Sequence, residues 1–218
     1  EKYPDLTAIE QKLALLYGAE IAVDVGKSGE HQCLKLEISC IDDRFAIDGE
    51  SISDECCEML FELIFNPKLE NGAFIKSVVD SEKRILCERL AAEKSDKRMY
   101  SKSRCEQIMF SDEVYGINRI GTVEQIEAVT PESLYEAYKE LLKTAVITMC
   151  VSGGKFSQAE KMFTEKMNMI SREPELNETL FVESAEDVQY EKEQEDVKQG
   201  KLVMGFRMGM KNEEDNYS

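Results

Sequence analysis

The sequence predicts an α+β fold in which an antiparallel-rich β-sheet is covered by helices. Three observations predict it. Residues 19 to 41 alternate apolar and polar on both sides of a glycine-bearing turn, as a hairpin does. Several stretches carry apolar residues at helical spacing. Ala145 to Val151 is a short apolar run of strand length, which reads as a central strand.

Leu6, Ile9, Leu13, Leu16 and Tyr17 recur at helical spacing and Gly18 follows as a stop, so residues 6 to 17 are expected to be a helix. Ile21, Val23 and Val25 alternate up to a turn around Gly26 to Gly29, and Leu34, Leu36 and Ile38 alternate after it. Ser53 or Asp54 is placed to cap a helix that runs to Phe65 and ends at Asn66-Pro67. Cys56, Met59, Leu60, Leu63 and Ile64 form its buried stripe.

The stretch from Asn71 to Phe110 is the one the rest is organised around. At 100° per residue, Ile75, Val78, Val79, Leu86 and Leu90 share a helical face, and Glu82 falls within it. A carboxylate on an apolar stripe must be paired, hydrogen-bonded, protonated or bound to a metal, because an unpaired buried charge is costly. A structural ion pair and a metal-ligand role both satisfy that demand.

Ser95-Asp96 marks the end of this helix or a kink, and a second helical segment follows with Met99, Ile108, Met109 and Phe110. The segment VYGINRIGTVEQI reads as a loop. Thr130-Pro131 opens a further helix, with Thr as cap and Pro at the first position, that turns Leu134, Tyr135, Tyr138, Leu141 and Leu142 inward. Ser157 and Glu160 suggest a capping box for a helix bearing Met162, Phe163, Met167 and Ile170. Residues 171 to 199 are strongly acidic and read as an interdomain linker flanked by a solvated edge segment. Leu202, Met204 and Phe206 alternate again, so a new strand is expected from about Lys201.

Composition excludes several functions. The formal charge of −17 and the pI near 4.6 oppose a nucleic-acid partner, which needs clustered Lys and Arg, and oppose an anionic membrane surface. No apolar run approaches the roughly 20 residues of a membrane span, and the first ten residues do not read as a signal peptide. The seven cysteines form no C-x-x-C pair, which suggests free thiols packed as small hydrophobes in the cytoplasm.

His31 is the sole histidine, and alternation puts it on one face with Cys33. Two ligands fall short of the usual zinc set of about four, so an exposed histidine is the better reading. One histidine on a turn also leaves serine or cysteine triads without a base near any nucleophile. Ser152-Gly153-Gly154 lacks the spacing of a phosphate-binding loop and reads as a plain turn. The methionines at 162, 167 and 169 read as packing residues.

The order of features resembles the pitrilysin/insulinase (M16) family of zinc metallopeptidases, and especially bacterial members described as inactive-domain proteins. The matching features are Tyr3-Pro4, LLYGA at 15 to 19, the hairpin, Asn66-Pro67, the VVDSEKRIL helix and SDKRMYSKSR. They continue with Tyr115-Gly116 and Gly121, VTPESLYEAYKELL, VSGG and QGKLVMGFR at 199 to 207. The resemblance implies the M16 (mitochondrial-processing-peptidase-like metallohydrolase) fold, with 1–170 as a first-half domain lacking its N-terminal strands and zinc-motif helix. It implies 200–218 as the start of a second, homologous half, beyond the acidic linker and edge segment at 171–199.

Active members of that family carry H-x-x-E-H on a helix, with two histidines on zinc, a glutamate as general base and a later glutamate as third ligand. The resemblance places Glu82 at that later metal-ligand position. No H-x-x-E-H occurs in the 218 residues, so these residues alone hold neither zinc nor a catalytic group, and zinc enters only if the motif lies upstream of Glu1. The expected function is that of a non-catalytic domain that supports a zinc endopeptidase or binds peptides. Its partner would be a second homologous half or a homologous subunit, with no nucleic acid and no membrane. The alternatives are a piece of an active zinc endopeptidase and an acidic interaction scaffold.

Overall fold

The computed structural model describes residues 2–153, 158–176, 182, 187–196 and 198–207. Asp5 caps the first helix, α1 (Leu6–Leu15), by accepting from the Ala8 N–H at 2.8 Å. The chain leaves α1 through two consecutive left-handed residues, Tyr17 (φ 58°) and Gly18 (φ 76°), and both the Gly18 and Ala19 N–H groups return to the Leu13 carbonyl. Positive φ is unfavourable for tyrosine. The Tyr17 hydroxyl offsets this by donating to Glu50 (2.7 Å) and accepting from the Ile47 N–H (2.9 Å).

Strands β1 (Glu20–Ser28) and β2 (His31–Ser39) form the hairpin that the alternation predicts. It is longer than expected, since β1 runs through Gly26 to Ser28 and only Gly29-Glu30 turn. Gly29, at φ 60°, supplies the left-handed residue that a tight hairpin requires. A second, very short hairpin pairs β3 (Leu69–Glu70) with β4 (Ala73–Phe74) around Asn71 and Gly72, both left-handed.

Two helices follow as the sequence suggests. Helix α2 (Ile52–Phe65) buries Ile52, Cys56, Met59 and Phe61, and the predicted Leu60, Leu63 and Ile64 are half-buried. Its cap is neither Ser53 nor Asp54. The Asp43 carboxylate, eight residues before the helix cap Ser51, accepts from the Ser53 N–H (2.8 Å) and hydroxyl (2.6 Å). Helix α3 (Lys76–Ser95) ends where expected, and Asp96 caps α4 (Lys97–Met109) through the Arg98 and Met99 N–H groups.

The predicted loop after α4 contains a helical turn at Val114–Gly116 and a short helix, α5 (Val123–Ala128). Helix α6 (Pro131–Thr144) has the predicted cap, with Thr130 and Ser133 bonded reciprocally. Tyr135, Tyr138 and Leu142 turn inward, but Leu134 and Leu141 are exposed. Helix α7 (Ala159–Asn168) carries the predicted half-buried Met162, Phe163 and Met167. The Ser157 capping box and Gly154 lie outside the described residues.

The chain is thus α+β, but among the described residues its strands form two separate two-stranded sheets rather than one larger sheet. Two predicted strands belong to neither. Residues 146–151 and 201–207 have no ladder partner among the described residues, and a strand exists only through the neighbour it bonds. Residues 145–150 keep the strand-like alternation of half-buried and exposed positions that their apolar run suggests.

The contacts divide the chain into two compact units. The first comprises Glu1–Gly26, Leu34–Val79 and Val129–Asn177. Its core is Leu16, Ala19, Ile52, Cys56 and Met59, with Ile9, Leu13, Ile21, Ile38 and Leu63 packed on it. Burying side chains such as Ile52 and Met59 stabilises by about 1.5–3 kcal/mol each. The Phe74 ring lies edge-on to Tyr135 (5.5 Å) and Tyr138 (5.7 Å), which seats α6 on β4, and Phe61 meets Phe163 between α2 and α7.

The second unit comprises Lys27–Cys33, Asp80–Ala128 and Glu178–Ser218. In it the hairpin tip grips the segment after α4. The Lys27 ammonium donates to the carbonyls of Val114 (3.4 Å), Tyr115 (2.8 Å) and Ile117, and Gln32 donates to that of Arg119 (3.0 Å). Gly116 permits the turn, because a Cβ there would run into the Phe110 carbonyl.

Candidate functional site

The side chain singled out by the sequence, Glu82, lies in the seventh position of α3. It is exposed, and no hydrogen bond or ion pair joins it to another described residue. This corrects the assignment of Glu82 to the buried stripe. The inward face of α3 runs through Ile75, Val79, Lys83, Leu86 and Leu90, and Val78 is 54% exposed. Lys83 takes the place on the seam assigned to Glu82. Its long stem accommodates that position while its ammonium donates to the Glu127 carbonyl at the end of α5 (2.7 Å). Cations are favoured at such a helix end.

Val78 and Glu82, one turn apart, share an open face of α3. Among the described residues no group of three His, Cys, Asp or Glu side chains is arranged to hold a metal ion. One carboxylate does not fit zinc, which needs three protein ligands even at a catalytic site, and no metal-dependent step follows from these residues. His31 and Cys33 are exposed on β2, where the Cys33 thiol makes a long contact to the His31 carbonyl.

All seven cysteines are free. Cys56 is fully buried in the first unit's core, and burial together with the neighbouring Cys40 pushes its thiol up to about 12. Burial likewise raises Cys57. Cys33 and Cys150 are exposed, so the expectation of thiols packed as small hydrophobes holds for only part of the set.

Two arrangements in the second unit went unrecognised in the sequence. The first is a buried ion pair between Glu113 and Arg207, whose side chains are 3% and 11% exposed. The second lies on α4. Lys97, Tyr100 and Arg104 recur at helical spacing, and the acidic segment beyond residue 186 runs against them. Glu191 and Glu193 accept from Arg104, Glu193 also accepts from the Tyr100 hydroxyl (2.8 Å), and Glu195 accepts from Lys97 (3.0 Å). Part of the stretch read as a linker and solvated edge is therefore zipped to a helix. An extended chain sends alternate side chains to one side, and glutamates at 191, 193 and 195 were the visible signal.

These pairings shift the groups as their chemistry requires. The Tyr100 and Arg104 hydrogen bonds hold the Glu193 carboxyl below the usual carboxylate range, and Glu193 in turn raises Tyr100. Glu191 and Glu193 raise Arg104. A trough of about 1670 Å³ opens between α4 and residues 187–195 and 199–207, with Tyr100, Arg104, Ile108, Leu202 and Phe206 in its lining.

With this geometry established, similarity to known proteins gives the chain its context. No protein-family model matches it. Over 219 aligned residues it is 28% identical to a protein of Bacillus subtilis (strain 168) named "Probable inactive metalloprotease YmfF". The likeness is to a metalloprotease relative described as inactive. It covers 100% of this chain and 51% of the relative, so the chain spans about half the relative's length. A conserved protein from Enterococcus faecalis V583, known from its crystal structure, shares the fold with a TM-score of 0.69 at 24% identity. That match covers 83% of this chain and 42% of the other. No described helix is long and apolar enough to cross a membrane.

Proposed function

We propose that this chain is a segment of a non-catalytic M16-type protein, built like a zinc peptidase, that supports a homologous active subunit or holds peptides between two similar halves. The observation that carries this reading is the whole-chain likeness to a relative named as an inactive metalloprotease. The ordered motifs of the M16 resemblance and the single, exposed histidine agree with it. The partner would be a second homologous half or a homologous M16 subunit, and the compartment a reducing one such as the cytoplasm, in which free thiols persist.

One observation favours a second reading. Glu82 is exposed and without a partner among the described residues, as a metal ligand would be when its companion ligands lie elsewhere. If H-x-x-E-H is encoded upstream of Glu1, Glu82 becomes the third ligand of an active zinc endopeptidase.

The deciding experiment uses the longest natural form of the protein, purified without added metal. Bound zinc and cleavage of a mixed peptide library are measured for it alone and with a homologous M16 peptidase subunit. The proposal expects no zinc and no cleavage alone, with either peptide retention or altered turnover by the active subunit. Stoichiometric zinc with chelator-sensitive cleavage by the protein alone would establish the second reading instead.

A further inference from the structure

The contact between α4 and the acidic segment is made almost wholly by charge. Lys97, Tyr100 and Arg104 stand at i, i+3 and i+7, which puts them in one row on the helix. Opposite them Glu191, Glu193 and Glu195 supply one carboxylate every second residue, and the intervening Lys192 and Gln194 are exposed. The segment has no regular secondary structure, and its own apolar side chains do not anchor it: Val188 is 78% exposed and Tyr190 is 93% exposed. Its charged partners are about one-third exposed. Pairs of that kind each contribute little, so the segment is displaceable by a ligand of the same chemistry.

We propose that the α4 face carrying Lys97, Tyr100 and Arg104 is a docking surface for extended peptide segments of a partner protein that bear a carboxylate on every second residue. Glu191, Glu193 and Glu195 are the chain's own competing occupant. The occupant's class follows from charge complementarity and from the segment already seated there. The overall charge of −17 opposes an acidic ligand at long range. That repulsion is screened beyond roughly 8–10 Å at physiological salt, which leaves the local cations to decide binding. The surface is distinct from Glu82 and does not depend on the peptidase-like reading.

The test uses the whole chain and a fluorescent peptide with the sequence of residues 189–196, followed by anisotropy at low salt. An intramolecular competitor suppresses binding in trans through its high effective concentration. The E191Q/E193Q/E195Q variant is therefore expected to bind the peptide about tenfold more tightly than the parent. Adding Arg104→Gln to that variant should abolish the gain. A peptide of the same composition with its glutamates adjacent should bind several-fold more weakly. Equal affinity of variant and parent, indifference to Arg104→Gln, or equal binding of the permuted peptide would each overturn the proposal. Should the triple variant lose its helical circular dichroism, Glu193→Gln alone replaces it. Glu193 holds two of the contacts, so a gain of about threefold is expected and no gain overturns the proposal.

Discussion

The Glu113 carboxylate and the Arg207 guanidinium meet fork to fork, with both nitrogen–oxygen distances 2.9 Å. Each is further satisfied. The Val182 N–H donates to Glu113 (2.6 Å), Arg207 donates to the carbonyls of Val182 (2.6 Å) and Met109, and the guanidinium lies over the Phe110 ring (4.6 Å). A buried pair survives only when its remaining donors and acceptors are met in this way.

Removing one member should be severe. Glu113→Gln strands a buried guanidinium and is expected to cost about 3–5 kcal/mol, whereas a well-packed E113L/R207M double replacement should cost much less. Chemical denaturation midpoints check both. The pH dependence has a defined sign. The Arg207 hydrogen bonds hold the Glu113 carboxyl below its ordinary value, so the folded chain binds that proton more weakly than the unfolded chain. The pair's stabilisation is complete above the unfolded carboxylate range near pH ~4.3 and is lost as pH falls through the lowered folded value. The Glu113→Gln variant should lack that part of the acid transition.

Asp43, outside the helix, supplies the side-chain capping bonds that the N-cap residue Ser51 does not give α2. Hydrogen bonds from Ser53 hold its carboxyl below the usual range. Asp43→Ala should destabilise the chain by about 1–2 kcal/mol, the worth of a strong helix cap. Ser51→Ala should change less, since the Ser51 hydroxyl bonds carboxylates rather than the helix backbone. Thermal melts of the two variants compare them directly.

Glu82→Gln should shift stability by no more than about 0.5 kcal/mol, as expected for an exposed side chain with no partner among the described residues. A loss near 3 kcal/mol would reveal an ion pair at Glu82 and would count against its reading as an open ligand position. Urea titration separates the two outcomes.

Tyr138 buries a hydroxyl with no hydrogen-bond partner among the described residues, and burial pushes it up to about 12. An unmet buried hydroxyl costs about 1–3 kcal/mol, so Tyr138→Phe should raise the melting temperature while keeping the ring contact to Phe74.

Much of the local architecture was legible because its signals are local. Gly18 after α1, Asp96 between α3 and α4, and Thr130-Pro131 before α6 each act within a few residues of themselves. Two further local signals were present and unused. Asn71-Gly72 announces a tight hairpin, and Thr122 with Gln125 forms the capping pattern that starts α5. The misplacement of Glu82 has a different cause. Spacings of three and four residues both suit a 3.6-residue period, so the choice between Val78-Glu82 and Val79-Lys83 rests on tertiary contacts that periodicity does not contain. Arg207 on Glu113 and Arg104 on Glu193 are pairings across the chain that no window of sequence displays, and Asp43 reaches Ser53 from outside the helix it caps, where no capping pattern places it.

The Glu113–Arg207 pair also governs when the second unit becomes complete. Its members are 94 residues apart, and closing a loop of that length costs roughly 4 kcal/mol in chain entropy plus a constant. Both units are assembled from separated stretches of chain, so closing each one needs some contacts that are long in sequence. Contacts of that kind form slowly. During synthesis the Glu113 carboxylate must wait for Arg207 to leave the ribosome, so this pair forms only after the chain has been extended by the 94 residues from one to the other.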